Sequence, residues 1–173
     1  MKNLNLILFQ LVWFTIALSA SMNLYLLYWL ISLIFIVYLL LIKKKSIFIS
    51  DIFLILVGII FETLIIQFDF IEIKTTFSLN LFGLPDWLLL IWLIFILVND
   101  EFIKLIEIFK KFKSIIYTFG ATLSYVAAEK FNILKLNSNL TILFYFSFWW
   151  IFFLLSEYFK NKRSIDNGVK NET

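Results

Sequence analysis

The chain has no cysteine and no histidine, and only one proline and four glycines in 173 residues. Without cysteine, disulfides, iron–sulfur clusters and thiolate chemistry are excluded. Without histidine, the usual axial haem ligand, the commonest zinc ligand and the commonest general base are missing. No metal site and no cofactor is expected, and any chemistry must rest on carboxylates, amides, hydroxyls, tyrosine or lysine. Charge is scarce too, at 16% of residues and +3 net. The basic residues are scattered over several connections, so no nucleic-acid face is expected. No phosphate-binding glycine loop, metal-ligand spacing or nucleophile elbow is present.

What fills the chain is apolar. The hydrophobic fraction is 62% and the mean hydropathy +0.97, against the roughly 45–50% apolar content of soluble domains. A soluble fold of this length cannot hide so much apolar surface, so lipid is the expected solvent. The bias toward Lys, Ile, Phe and Asn points to an AT-rich bacterial genome.

Six apolar segments are predicted, near 4–21, 23–42, 48–67, 85–102, 115–131 and 139–158. The expected fold is an all-α polytopic bundle of about six transmembrane helices. Residues 1–159 form one membrane domain, and 160–173 a polar cytoplasmic tail that frays. The segment Leu84–Glu101, opened by Pro85 and closed by Asn99-Asp100-Glu101, is the helix around which the others are expected to gather. A first-turn proline is harmless there, because that N–H has no partner anyway. The first segment resembles a signal peptide in having Lys2 before it and Ala17-Leu18-Ser19 within it. Gln10 and Trp13 interrupt it and five spans follow, so a retained helix is expected.

Lysines orient the bundle. One set of alternate connections holds Lys2, Lys43–Lys45, Lys104, Lys110, Lys111, Lys113, Lys160, Lys162, Arg163 and Lys170; the other holds only Lys74, Lys130 and Lys135. The rich set belongs in the cytoplasm. Both termini are therefore expected there, in the inner membrane of a bacterium. Phe102–Ser114 reads as a short amphipathic helix on the inner surface, with a minor claim to binding anionic lipid. The outer loop Phe68–Leu84 alternates at Ile71-Glu72-Ile73-Lys74, which suits either a short extended hairpin or a plain interfacial loop.

Polar residues at membrane depth are the default site candidates. At about 1.5 Å per residue they fall in two layers, an inner one of Gln10, Asn99 and Asp100 and one past the midplane of Glu62 and Tyr125. Those levels differ by about 10 Å, which argues against a Glu62–Asp100 carboxylate dyad. Glu62 is the sharpest candidate. Desolvation disfavours its charge, making it either a poised proton carrier or a neutral group bonded to Tyr125 that holds two helices together. Catalytic candidates are Glu62, Asp100 and Tyr125; ligand-contact candidates are Gln10, Trp13 and Asn99. Gln10 reads first as an interhelical hydrogen bond, and Asp100 as a helix leaving the membrane. Gly120, Ser124 and Ala128, with Ala121 and Ala127, form a small-residue stripe expected to permit close helix approach. Trp87, Trp92, Trp149 and Trp150 read as interfacial or lipid-facing.

The motifs Phe9-Gln10-x-x-Trp13-Phe14, Glu62-Thr63, Pro85-x-Trp87-Leu88-x-Leu90-x-Trp92 with Asn99, and Gly120-x-x-Leu123-x-Tyr125 together resemble one family. It is a group of small multi-span bacterial inner-membrane proteins, the domain of unknown function twenty-eight seventy-eight. The resemblance covers nearly the whole chain, and the shared order of short motifs carries it. It implies a fold and a membrane, but no activity. Members often have Asp at position 62, His at 100 and Pro at 122. This chain has Glu62, Asp100 and Thr122, and Asp100 puts any imidazole-dependent reaction in doubt. Members are often encoded near enzymes that modify fatty acyl chains, which implies membrane lipid as ligand or setting and such an enzyme as partner. The expected function is lipid binding or an accessory role in acyl modification. The alternatives are an intramembrane lipid-modifying enzyme with Glu62 as acid/base and, third, a small proton-coupled transporter. No repeat of the paired, broken-helix kind supports the last.

Overall fold

The computed structural model describes residues 4–75, 80–81 and 83–169. Among them are six α-helices: α1 (Leu4–Ser21), α2 (Tyr25–Val37), α3 (Ile49–Gln67), α4 (Asp86–Ile106), α5 (Lys113–Lys130) and α6 (Asn139–Val169). A π turn, Tyr38–Ile42, prolongs α2, and a 3-10 stretch, Glu107–Phe112, joins α4 to α5. Four of these segments are long and apolar enough to cross a membrane: Leu4–Ser21, Tyr25–Ile42, Ile49–Gln67 and Asn139–Arg163.

Outside that set, one helix is the interior one. α4 carries Asp86, Asp100, Glu101 and Lys104, yet it packs against α1, α2, α3, α5 and α6. Its apolar run from Trp87 to Val98 is surrounded by protein, with Ile94 and Val98 fully enclosed. The outer helices instead expose Ile, Leu and Phe outward, as Leu26, Ile49 and Ile151 show. This inside-out pattern is that of a bundle solvated by hydrocarbon.

The helices alternate in direction. At one end Asn5 of α1 and Lys45 (before α3) both meet Glu101 of α4. There too Lys113 of α5 pairs with Glu157 of α6, and Lys160 with Glu107. At the other end Asp86 opens α4 beside Tyr28 and Trp29 of α2.

Differences from the sequence reading are local. The alternating stretch Ile71–Ile73 (β1) does not fold back within its own loop. It pairs antiparallel with Leu134–Leu136 (β4), placing Glu72 opposite Lys135. A side-chain bond from Lys74, with Lys135 across the ladder, holds the Glu72 carboxyl below its usual range. A separate two-residue ladder joins Asn80–Leu81 (β2) to Leu84–Pro85 (β3), turning at Gly83, whose φ of 81° suits glycine. Phe102–Ser114 is not one amphipathic helix. α4 runs to Ile106, and the 3-10 stretch after it kinks at Lys110, where φ is 41°. Its Ile108 and Phe112 are exposed beside Lys110 and Lys111, as a surface-lying segment requires. The stretch from Lys160, read as a fraying tail, continues α6 to Val169. Residues 170–173 lie outside the described part.

Candidate functional site

Glu62 sits at the fourteenth position of α3 with no solvent exposure. Both carboxylate oxygens are engaged. Tyr125 of α5 donates its hydroxyl to Oε1, and Tyr145 of α6 donates to Oε2 at 2.9 Å. The two phenol rings stack with centroids 3.7 Å apart. Trp92 of α4 lies within reach of the same carboxylate. One acidic side chain therefore ties α3, α5 and α6 together. Depth counting had placed Tyr125 beside Glu62. It had no means to add Tyr145, which looks like one more aromatic in a run of them.

Asp100 is elsewhere. It accepts from Arg163 Nη2 at 2.9 Å, while Nη1 of the same guanidinium meets Asp51 at 3.0 Å. Asp51 lies eleven residues before Glu62 on α3, about 16 Å along the axis. The two carboxylates thus occupy different levels, and a dyad does not form. Arg163 also lies over the Phe48 ring, 4.8 Å from its centroid. It clamps the ends of α3, α4 and α6. We expect Arg163→Met, which keeps the packing stem, to lower stability by about 1–3 kcal/mol. The value falls short of a fully buried pair because Asp100 is partly exposed. Detergent-solubilised thermal unfolding checks this, and adding Asp51→Asn with Asp100→Asn should recover most of the loss.

Asn99 is buried and accepts the Tyr117 hydroxyl at 2.7 Å. Asp86 was missed because its place after Pro85 reads as an ordinary helix start. It is almost wholly buried, accepting from Tyr28 at 2.8 Å and from the Trp29 indole at 2.8 Å. Its neighbour Trp87 donates to Thr75 at 3.1 Å.

The remaining candidates meet around a cavity of about 290 Å³ between α1, α4 and α5, with Trp149 of α6 in its wall. Gln10 and Trp13 line it from α1, and Tyr117 and Tyr125 from α5. Their hydroxyls point behind the wall, to Asn99 and Glu62 respectively. Glu62 and Asp100 are not among the lining residues. Gln10 makes no hydrogen bond to another helix among the described residues, contrary to the first reading of it.

The small-residue stripe faces the same space. Gly120, Ala121, Ser124, Ala127 and Ala128 line the cavity, and a Cβ placed on Gly120 would meet nothing within 4 Å. The stripe makes room rather than contact. The tryptophans are likewise not lipid anchors: Trp87, Trp92 and Trp149 are buried, and Trp92 stacks on Trp149 at 5.2 Å.

Residues 2–155 match the family model DUF2878, a protein of unknown function. The chain belongs to this family. No curated protein and no solved structure matches it. The DUF2878 match takes in the whole cavity, from Phe9 to Trp149, and ends before Arg163. In this DUF2878 chain the arginine clamp therefore lies outside the matched region, while the carboxylate between two tyrosines lies within it.

Proposed function

We propose that this protein is a six-span integral protein of the bacterial cytoplasmic membrane, with both termini inside, that holds a membrane lipid between α1, α4 and α5. The observation that carries this reading is the cavity, whose volume lies at the lower end for ligand pockets. That is room for roughly ten groups the size of a water or methylene. Its wall is aromatic and aliphatic, with a few polar groups, the usual make-up of a lipophilic site. Glu62, set behind Tyr125 and bonded to two hydroxyls, serves this reading as the anchor of the wall. The six-span count rests on α4 being shielded by the other helices, so that its charges need not face lipid, and on α5 packing along α6. The orientation rests on nine of the described lysines and the arginine lying at the Arg163 end or on its connections.

Filling the cavity tests the proposal. Gly120→Phe has open space to enter and removes a helix-interior glycine, a change worth about 0.5–1 kcal/mol in the stabilising direction. Native mass spectrometry of the purified protein should show lipid bound to the wild type and at least tenfold less on Gly120→Phe, with thermal unfolding unimpaired. Equal lipid occupancy in the two would reject the cavity as the site.

A further inference from the structure

The cavity has two different ends. At one end Ala17, Trp87, Ile133 and Leu134 close it, none more than 3% exposed. Here α1 and the residue following α5 meet, Phe14 standing edge-on to Phe131 with centroids 5.3 Å apart. Elsewhere α1 and α5 face each other across the cavity, and among its lining residues Gln10 and Gly120 are exposed. The space is thus a groove, roofed at the lysine-poor end and open sideways between the two helices at the level of Gln10 and Gly120, in its lysine-rich half. The α5 residues lining it run from Tyr117 to Ala128, about 16 Å along the axis. That is close to half the ~30 Å hydrocarbon core, the depth of one leaflet.

Polar groups sit toward the open end. Gln10 is exposed to the groove about 7–8 Å along α1 from the Asn5–Glu101 contact. Deeper in, the Trp149 indole N–H is buried and directed at the Tyr125 hydroxyl. Among the described residues no lysine or arginine lines the groove. A carboxylate would therefore enter without a counter-charge, at a large desolvation penalty. An ester carbonyl needs only a neutral donor such as the Gln10 amide.

Resting on the lipid-binding reading, we propose that the groove takes one acyl chain of a phospholipid drawn from the leaflet on the lysine-rich side. The chain end lies under Trp87, Ile133 and Leu134, and the ester lies at the level of Gln10. A phospholipid fits where a free fatty acid does not, because the donor at the mouth is an uncharged amide. The second acyl chain stays in the bilayer, since room for roughly ten methylene-sized groups holds a stretch of one chain and no second.

The test uses the full-length protein in phosphatidylethanolamine–phosphatidylglycerol vesicles carrying a phospholipid with a diazirine either near the ester or near the chain end. Crosslinked peptides are mapped after illumination. The expected map puts the ester-proximal label on Gln10, Phe102 and Tyr117 and the chain-end label on Ala17, Trp87 and Leu134. Gln10→Leu should weaken the groove labelling up to about tenfold, the equivalent of one hydrogen bond. A reversed map, or groove labelling by a diazirine fatty acid but not by the phospholipid, overturns this inference while leaving lipid binding intact. Label confined to the outward faces, such as Leu26 or Ile151, overturns both.

Discussion

Glu62→Ala is expected to destabilise the protein by about 3 kcal/mol, whereas Glu62→Gln should stay within about 1 kcal/mol of wild type. Alanine strands two buried hydroxyls, those of Tyr125 and Tyr145, on an unlined gap. Each stranded donor costs about 1–3 kcal/mol. Two of them sum to about 2–6 kcal/mol, and the total belongs toward the low end, because hydrogen bonds between membrane helices average well under 1 kcal/mol when measured pairwise. Glutamine keeps one acceptor and offers an amide to the other phenol, so the three-helix tie persists. Unfolding in detergent with either variant reads the difference directly. The same pair separates an anchor from a proton carrier. If Glu62→Gln retains lipid occupancy and fold while Glu62→Ala loses both, the carboxyl acts through the shape it imposes on Tyr125. A loss of occupancy in Glu62→Gln with unfolding unchanged would contradict that role.

Gly58→Ala should be nearly as damaging, although it adds a single methyl. A Cβ at Gly58 would lie 2.6 Å from two ring carbons of Trp92. The indole is hemmed in by aromatic rings on its sides away from the groove. It is stacked on Trp149 and meets Phe95, Phe148 and Phe152 edge-on or tilted, with centroids 5.2–6.2 Å away. Overpacking of a filled core costs typically 1–3 kcal/mol, and the upper part of that range applies where the obstacle is a clamped ring. Trp92 also lines the groove, so the substitution should reduce lipid occupancy along with the melting temperature. Gly120→Ala, by contrast, should raise stability slightly. Opposite signs at the two glycines, read by thermal unfolding in one detergent, distinguish a true close approach from an open channel.

The two glycines show where periodicity in the sequence stops being informative. A stripe of small residues on α5 looks the same whether a neighbouring helix or a ligand fills the space above it, because spacing records which face a residue is on and not what lies opposite. Here α1 stands off, and the stripe forms the floor of a groove. Gly58 carried no stripe at all, yet its missing side chain is what lets the Trp92 indole of α4 lie against α3. Trp87, Trp92 and Trp149 misled for a related reason. Tryptophan is common both at membrane interfaces and in packed interiors, and only the arrangement of α4 and α6 decides between them.

Charged residues were read with mixed success, and the cause is again the partner. Arg163 and Asp100 are 63 residues apart, and nothing local marks them as a pair. Asp86 follows the only proline and has the look of a first-turn acid, which conceals its bonds to Tyr28 and Trp29. Glu62 was legible because an acid within an apolar run must find a donor at its own depth, and a 1.5 Å rise per residue leaves few choices.

The sequence by itself determined that the chain is helical, apolar enough to need lipid around it, arranged with α4 at the centre, and a member of DUF2878. Those properties follow from composition, run length and the order of short motifs, which are local and additive along the chain. The tertiary structure alone decided that β1 pairs with β4, that Arg163 is what faces Asp100, and that α1 leaves a groove beside α5. Each depends on which surfaces meet across dozens of residues. In hydrocarbon, where apolar faces attract one another only weakly, fine packing and a few buried polar bonds settle that choice.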